Sequence, residues 1–208
     1  MKKLLSFTLT TALLFSLTGC FGGIKLEENQ SHLTMNKDGE ITLEAIMEDR
    51  DFEDAFDVDF DDKEKDVIKD LEEYFDDEDI TVEVKKLKLN KDTAEITIFI
   101  EDGEDYLSKI DETLEDLADD SGYDDIEDFV EAYDYEFVTF KDEEDIDSKD
   151  LEDYADYIYL NVYGGEEGMY YTTPSDIEAV SDLKFERINK NTIFIEDGEY
   201  GYILIKEY

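Results

Sequence analysis

Past residue 30 the chain is written in short alternating runs of apolar and polar positions, broken by stretches where apolar residues recur every three or four. Leu33 and Met35 alternate before Asn36-Lys37-Asp38-Gly39, and Ile41, Leu43, Ala45 and Met47 alternate after it, so residues 31–47 read as a hairpin. Gly39 supplies the positive φ that such a turn requires. Asp51 to Phe60 mixes acids with Phe52, Phe56, Val58 and Phe60 in no settled period. From Asp61 a helix is predicted, with Val67, Ile68, Leu71, Tyr74 and Phe75 on one stripe and acids at its positive end. Residues 80–101 read as a second hairpin around Asn90-Lys91-Asp92-Thr93. Its first strand changes phase from Ile80, Val82 and Val84 to Leu87 and Leu89, which predicts a bulge near Lys85-Lys86.

Tyr106, Leu107, Ile110, Leu114, Leu117 and Ala118 mark a further helix stopped at Ser121-Gly122, and Ile126, Phe129, Val130 and Tyr133 mark another. Strands are expected at 135–140 and 157–163, with a short helix from Lys149 to Ala155 between them and Ser148 as its N-cap. Pro174 sits in a loop. Strands at 183–188, 191–196 and 200–206 follow, turned at Asn189-Lys190 and Asp197-Gly198. Asn90-Lys91-Asp92-Thr93 leading to Ile98-Phe99-Ile100-Glu101-Asp102-Gly103 is echoed by Asn189-Lys190-Asn191-Thr192 leading to Ile193-Phe194-Ile195-Glu196-Asp197-Gly198. The two spacings differ, so this is one turn-strand-turn device used twice rather than a repeat. The order of elements gives an α+β fold: a mainly antiparallel sheet of hairpins with several helices packed on it.

The amino terminus follows a different rule. Met1-Lys2-Lys3, an apolar stretch from Leu4 to Leu17 and the small residues Thr18-Gly19 form a secretory signal peptide. The apolar stretch is shorter than the roughly 20 residues a spanning helix needs. Leu17-Thr18-Gly19-Cys20 matches the bacterial lipobox, and Cys20 is the only cysteine. The match implies diacylglycerol transfer to the Cys20 sulfur and cleavage before it. Two or more acyl chains anchor stably, where one anchors only marginally. Three regions follow: residues 1–19 as signal peptide, 20–30 as lipidated flexible tether containing Gly22-Gly23, and 31–208 as one acidic α+β domain. The expected location is the extracytoplasmic face of the cell membrane, held through the lipid on Cys20.

Charge narrows the partners. After cleavage 17 Lys+Arg face 62 Asp+Glu, a formal charge of −45. Such a surface repels nucleic acid and anionic lipid and attracts cations or a basic protein or envelope component. The 41% hydrophobic content, with 14 tyrosines and 13 phenylalanines, supplies a core and argues against disorder. With no cysteine left after lipidation, no disulfide or thiolate chemistry is available to the domain.

Thr34-Met35-Asn36-Lys37-Asp38-Gly39-Glu40-Ile41-Thr42, the acidic aromatic stretch after it, Thr173-Pro174-Ser175-Asp176-Ile177, Ser181-Asp182 and Asn189-Lys190-Asn191-Thr192-Ile193 resemble uncharacterised surface lipoproteins of clostridia-like low-GC Gram-positive bacteria. The resemblance spans most of the mature chain. Its motifs are turns and strands, so it implies fold and lipid attachment at Cys20, with no catalytic residue and no cofactor. In those proteins glycine usually follows the proline, where this chain has Ser175.

The search for chemistry returns few parts. His32 is the single histidine, read as a partly exposed bystander near the tether, so triads, Cys-His pairs and HExxH zinc sites are incomplete. Only Arg50 and Arg187 offer a bidentate clamp for an anion. Asp57, Asp59 and Asp61 fit positions 1, 3 and 5 of a calcium loop, but Asp62 replaces its glycine and Ile68 its final glutamate. The Asn36–Gly39 loop fails at Thr34 and Ala45. Tyr154, Tyr157, Tyr159, Tyr163, Tyr170 and Tyr171 form a tyrosine-rich stretch, read first as a covered strand and second as a contact surface. The leading expectation is therefore a non-enzymatic binding or interaction domain. The alternatives are a divalent-cation (calcium) module and a carboxylate-based hydrolase of wall polysaccharide, which the absence of tryptophan weakens.

Overall fold

A computed structural model describes residues 24–56, 58–60, 62–77, 80–103, 113–165 and 167–206. Cys20, Asp57, Asp61, Tyr106, Leu107 and Ile110 lie outside the described residues.

The first hairpin forms as its alternation predicts, with β1 (Gln30–Met35) antiparallel to β2 (Ile41–Glu48). Asn36 closes it, its side-chain oxygen accepting the Asp38 and Glu40 N–H groups, and Gly39 takes φ 79°. The unsettled stretch after β2 is helix α1 (Asp49–Phe56), which buries Phe52. Helix α2 (Glu64–Asp77) buries Val67, Leu71 and Phe75, the inner part of the predicted stripe. In the second hairpin, β3 (Val82–Leu89) pairs with β4 (Thr93–Ile100), and the register shifts between Val84 and Lys86, where the phase change placed the bulge.

Helix α3 (Leu114–Asp120) is shorter than its apolar spacing suggests. Thr113 is extended, bridges to Ile158 and exchanges a capping box with Asp116, so the helix starts there. Helix α4 (Ile126–Tyr133) starts on its Asp125 cap. The strands β5 (Phe137–Thr139) and β6 (Asp145–Ile146) precede a 3-10 helix, Ser148–Tyr154. Ser148 is its first residue rather than its cap; its hydroxyl donates to Glu131 instead. Then come β7 (Ile158–Tyr163), β8 (Met169–Thr172), β9 (Ile177–Ser181), β10 (Phe185–Asn189), β11 (Thr192–Ile195) and β12 (Tyr200–Ile205). Pro174 lies in the loop between β8 and β9.

The fold is α+β and mainly antiparallel, as the hairpins and helices predict, and its strands form two sheets. A seven-stranded sheet runs β10-β11-β8-β1-β2-β4-β3 and a five-stranded one runs β6-β5-β9-β12-β7. Among the described pairings only β1–β8 is parallel. In β4, Ala94, Ile96, Ile98 and Ile100 face the large core while Thr93, Glu95, Thr97 and Phe99 are half-buried opposite. Strand β12 is apolar on both sides: Ile203 and Ile205 join the large core, and Tyr202 and Leu204 join a smaller one. The five-stranded sheet is thus a middle layer. One face meets the seven-stranded sheet, and α3, α4 and the 3-10 helix cover the other, while α1 and α2 pack into the large core beside it. Continuous apolar sequence, as in Tyr202–Ile205, follows from burial on both faces.

Candidate functional site

Among the described residues, a polar cluster and a chain of aromatic rings each join distant parts of the chain. The first lies on the face of the seven-stranded sheet opposite the large core. His32 is only 2% exposed there, so the single histidine is a buried group and not a bystander at the tether. Its Nε2 lies 2.9 Å from the Thr172 hydroxyl and 3.2 Å from that of Thr34, and the Thr172 and Thr192 hydroxyls are 3.0 Å apart. Glu44 is 3.8 Å from Nδ1, beyond hydrogen-bond reach, and the Tyr170 ring meets the imidazole edge-on at 6.1 Å. Burial holds the His32 pKa down to about 4, so the ring is neutral at physiological pH.

Hydroxyl, imidazole and carboxylate in this order have the parts of a nucleophile relay. β1 and β8 each have a strand on either side, so their backbone N–H groups lie in the ladders. The hydrogen-bonded hydroxyls and imidazole tie the parallel β1–β8 pairing together at Thr34 and Thr172.

The second place is a chain of aromatic rings on the helix-covered side of the five-stranded sheet. Helix α4 ends at Asp134 in the left-handed conformation, φ 57°, with Asp134 N–H donating to Glu131 and Tyr135 N–H to Val130. This is a Schellman ending, and it turns the chain back on itself. Tyr133 and Tyr135 therefore stack at 5.7 Å and 16°. Phe129 supports both rings, at 5.3 and 5.8 Å. Tyr135 meets Tyr202 edge-on at 5.2 Å, their hydroxyls 3.3 Å apart, and Tyr202 continues to Tyr159 at 5.9 Å and Tyr200 at 6.3 Å. Burial, then the Tyr135 hydroxyl, raises the Tyr202 pKa, so that phenol stays protonated.

The inner rings belong to the small core and the outer ones reach water. Tyr202 is 8% exposed, against 52% for Tyr133 and 59% for Tyr200. Tyr163, also 52% exposed, stands opposite Tyr200 in the β7–β12 ladder and so on the same face. The Tyr200 hydroxyl donates to Asn161, which stands opposite Tyr202 in that ladder. Gln30 Nε2 donates to the Glu167 carbonyl, which puts the start of β1 at this same end of the molecule.

The tyrosines singled out from sequence are dispersed by the fold. Tyr159 and Tyr171 are core residues, and the Tyr171 hydroxyl bonds both to the N–H and to the carbonyl of Tyr163. Tyr154 and Tyr157 pair at 5.0 Å elsewhere, and Tyr170 packs on Phe194 at 4.6 Å. Only Tyr163 belongs to the exposed patch. Tyr133, Tyr135, Tyr200 and Tyr202 carried a signal that was available, two Tyr-x-Tyr pairs, but nothing in the sequence brings residues 67 apart together. Among the described residues no group of three or more His, Cys, Asp or Glu is placed to hold a metal ion, and no helix is long and apolar enough to cross a membrane. Comparison of the chain with protein-family models, curated proteins and solved structures finds no match.

Proposed function

We propose that this chain is a lipid-anchored extracytoplasmic protein, attached to the cell membrane through Cys20, whose folded part is a non-enzymatic binding domain. The lipobox Leu17-Thr18-Gly19-Cys20 supports the anchor. The observation that carries the binding role is the run of tyrosine rings that reaches the surface at Tyr133 and again at Tyr200 beside Tyr163, backed by rings locked into the small core. Tyrosine offers large contact area with little side-chain entropy to lose, and rings already held by neighbours lose less still. The patch lies at the end where β1 begins, so the docking face sits near the tether.

The anchor is tested with Cys20→Ser, which should remove incorporated fatty acid and move the protein out of the membrane fraction. The docking face is tested by placing a photo-crosslinking phenylalanine analogue at position 133 or 200 in living cells, with position 65 on α2 as the control. A discrete adduct from 133 and 200 but not from 65 is expected. No adduct at either position, or the same adduct at all three, would remove the docking role.

A further inference from the structure

We infer that the occupant of the tyrosine patch is a lysine- and arginine-rich segment of a partner polypeptide, an inference that rests on the docking role proposed above. Residues 113–140, which contain α3, α4 and the first half of the aromatic chain, hold eleven acids and no lysine or arginine. Asp124, Asp134 and Glu136 are exposed immediately around Tyr123, Tyr133 and Tyr135. The segment therefore sets negative charge beside Tyr133 and contributes no positive charge of its own.

Charge alone would attract any cation. The rings make the choice narrower, because an aromatic face attracts ammonium and guanidinium groups, and stacked phenols expose faces to them. The chain uses that chemistry twice on itself, with Lys85 Nζ 4.9 Å from the Phe99 ring centre and Lys206 Nζ 5.8 Å from that of Tyr157. A basic peptide would place its charges in the negative field and lay side-chain stems on Tyr133 and Tyr200. Nucleic acid and anionic lipid are repelled by the same field, and a neutral glycan gains nothing from it.

The test uses the full-length lipidated chain in uncharged detergent, titrated with a mixed lysine–arginine 12-residue peptide and, separately, a glycine–serine peptide of equal length. Tyrosine emission is read directly, because the chain has no tryptophan. Saturable binding of the basic peptide alone is expected, steeply weakened by salt. It should weaken about tenfold in Tyr133→Ala/Tyr200→Ala and recover in Tyr133→Phe/Tyr200→Phe, which keeps the ring faces. Equal binding by the alanine variant, no binding by the parent chain, or preferential binding to phosphatidylglycerol vesicles would overturn the inference. A chain that ignores the peptide yet still gives its crosslinked adduct from positions 133 and 200 would lose this partner and keep its docking face.

Discussion

The two hydrophobic cores are built from different chemistry, and the difference separates holding the fold from presenting a surface. The large core is mostly aliphatic, lined by Ile41, Leu43, Ile96, Ile98, Ile193, Ile203 and their neighbours, with Tyr171 the tyrosine fully inside it. The small core mixes Leu114, Ala118, Ile126 and Leu204 with Phe129, Phe137, Tyr159 and Tyr202. Aliphatic side chains fill a closed space between layers. Tyrosines have a polar end that must reach a partner or water, so a core containing them opens outward. Its rings run from buried Tyr159 to exposed Tyr200 without a break.

The largest effect should come from cutting that run at its base. Phe129→Ala leaves a void under Tyr133 and Tyr135 and should cost about 3–5 kcal/mol, against about 2–5 kcal/mol for Ile98→Ala in the large core. Thermal melting measures both, and only Phe129→Ala should also erase the near-ultraviolet dichroism of the tyrosine chain under native conditions. Loss of that signal in both variants would mean that the two cores do not act separately.

The buried histidine gives the next effect. His32 titrates near 6.5 when unfolded and near about 4 when folded. The folded state therefore binds fewer protons across that window, and its stability falls as the pH drops through it. The loss is on the order of 3 kcal/mol when the pH falls from 7 to below 4. Many carboxylates titrate near the lower limit, so the parent chain should be compared with His32→Gln, in which this part of the acid destabilisation is absent. Parallel stability curves for the two would show that His32 is not a buried neutral base.

A smaller effect is expected at the helix ending that stacks Tyr133 on Tyr135. Asp134→Val puts a β-branched residue at φ 57° and should cost about 1–2 kcal/mol, whereas Asp134→Gly should be neutral or mildly stabilising. Denaturant unfolding distinguishes them. Smallest of all is Tyr133→Ala/Tyr200→Ala, which removes only outer rings and should change stability by about 0.5 kcal/mol or less per site. A large loss there would make the patch part of the core rather than a surface resting on it.

How much of this was legible follows from where each signal lives. The β1–β2 and β3–β4 hairpins were readable because each has one face on the core and one half-exposed, which writes alternation into the residues. Even the bulge in β3 left its mark as a phase change. β9 was harder, since Ile177, Ala179 and Val180 bury on both faces and lose the alternation, and β8 is only four residues long. Helix α1 was hidden because eight residues, little more than two turns, with one buried phenylalanine write no readable period. His32 was legible as facing away from Leu33 and Met35, but its burial depends on Thr172 and Thr192, supplied 140 and more residues later. The tyrosine patch drew on α4, its ending, β7 and β12 together, which only the sheet order joins.

The central claim, that Tyr133 and Tyr200 form a surface covered by a partner, is most directly met by chemical footprinting with tetranitromethane, read by mass spectrometry. In the purified chain Tyr133, Tyr200 and the exposed Tyr74 on α2 should all be nitrated. On intact cells the account predicts protection of Tyr133 and Tyr200 with Tyr74 still modified. Equal nitration of all three on cells and in isolation would contradict it.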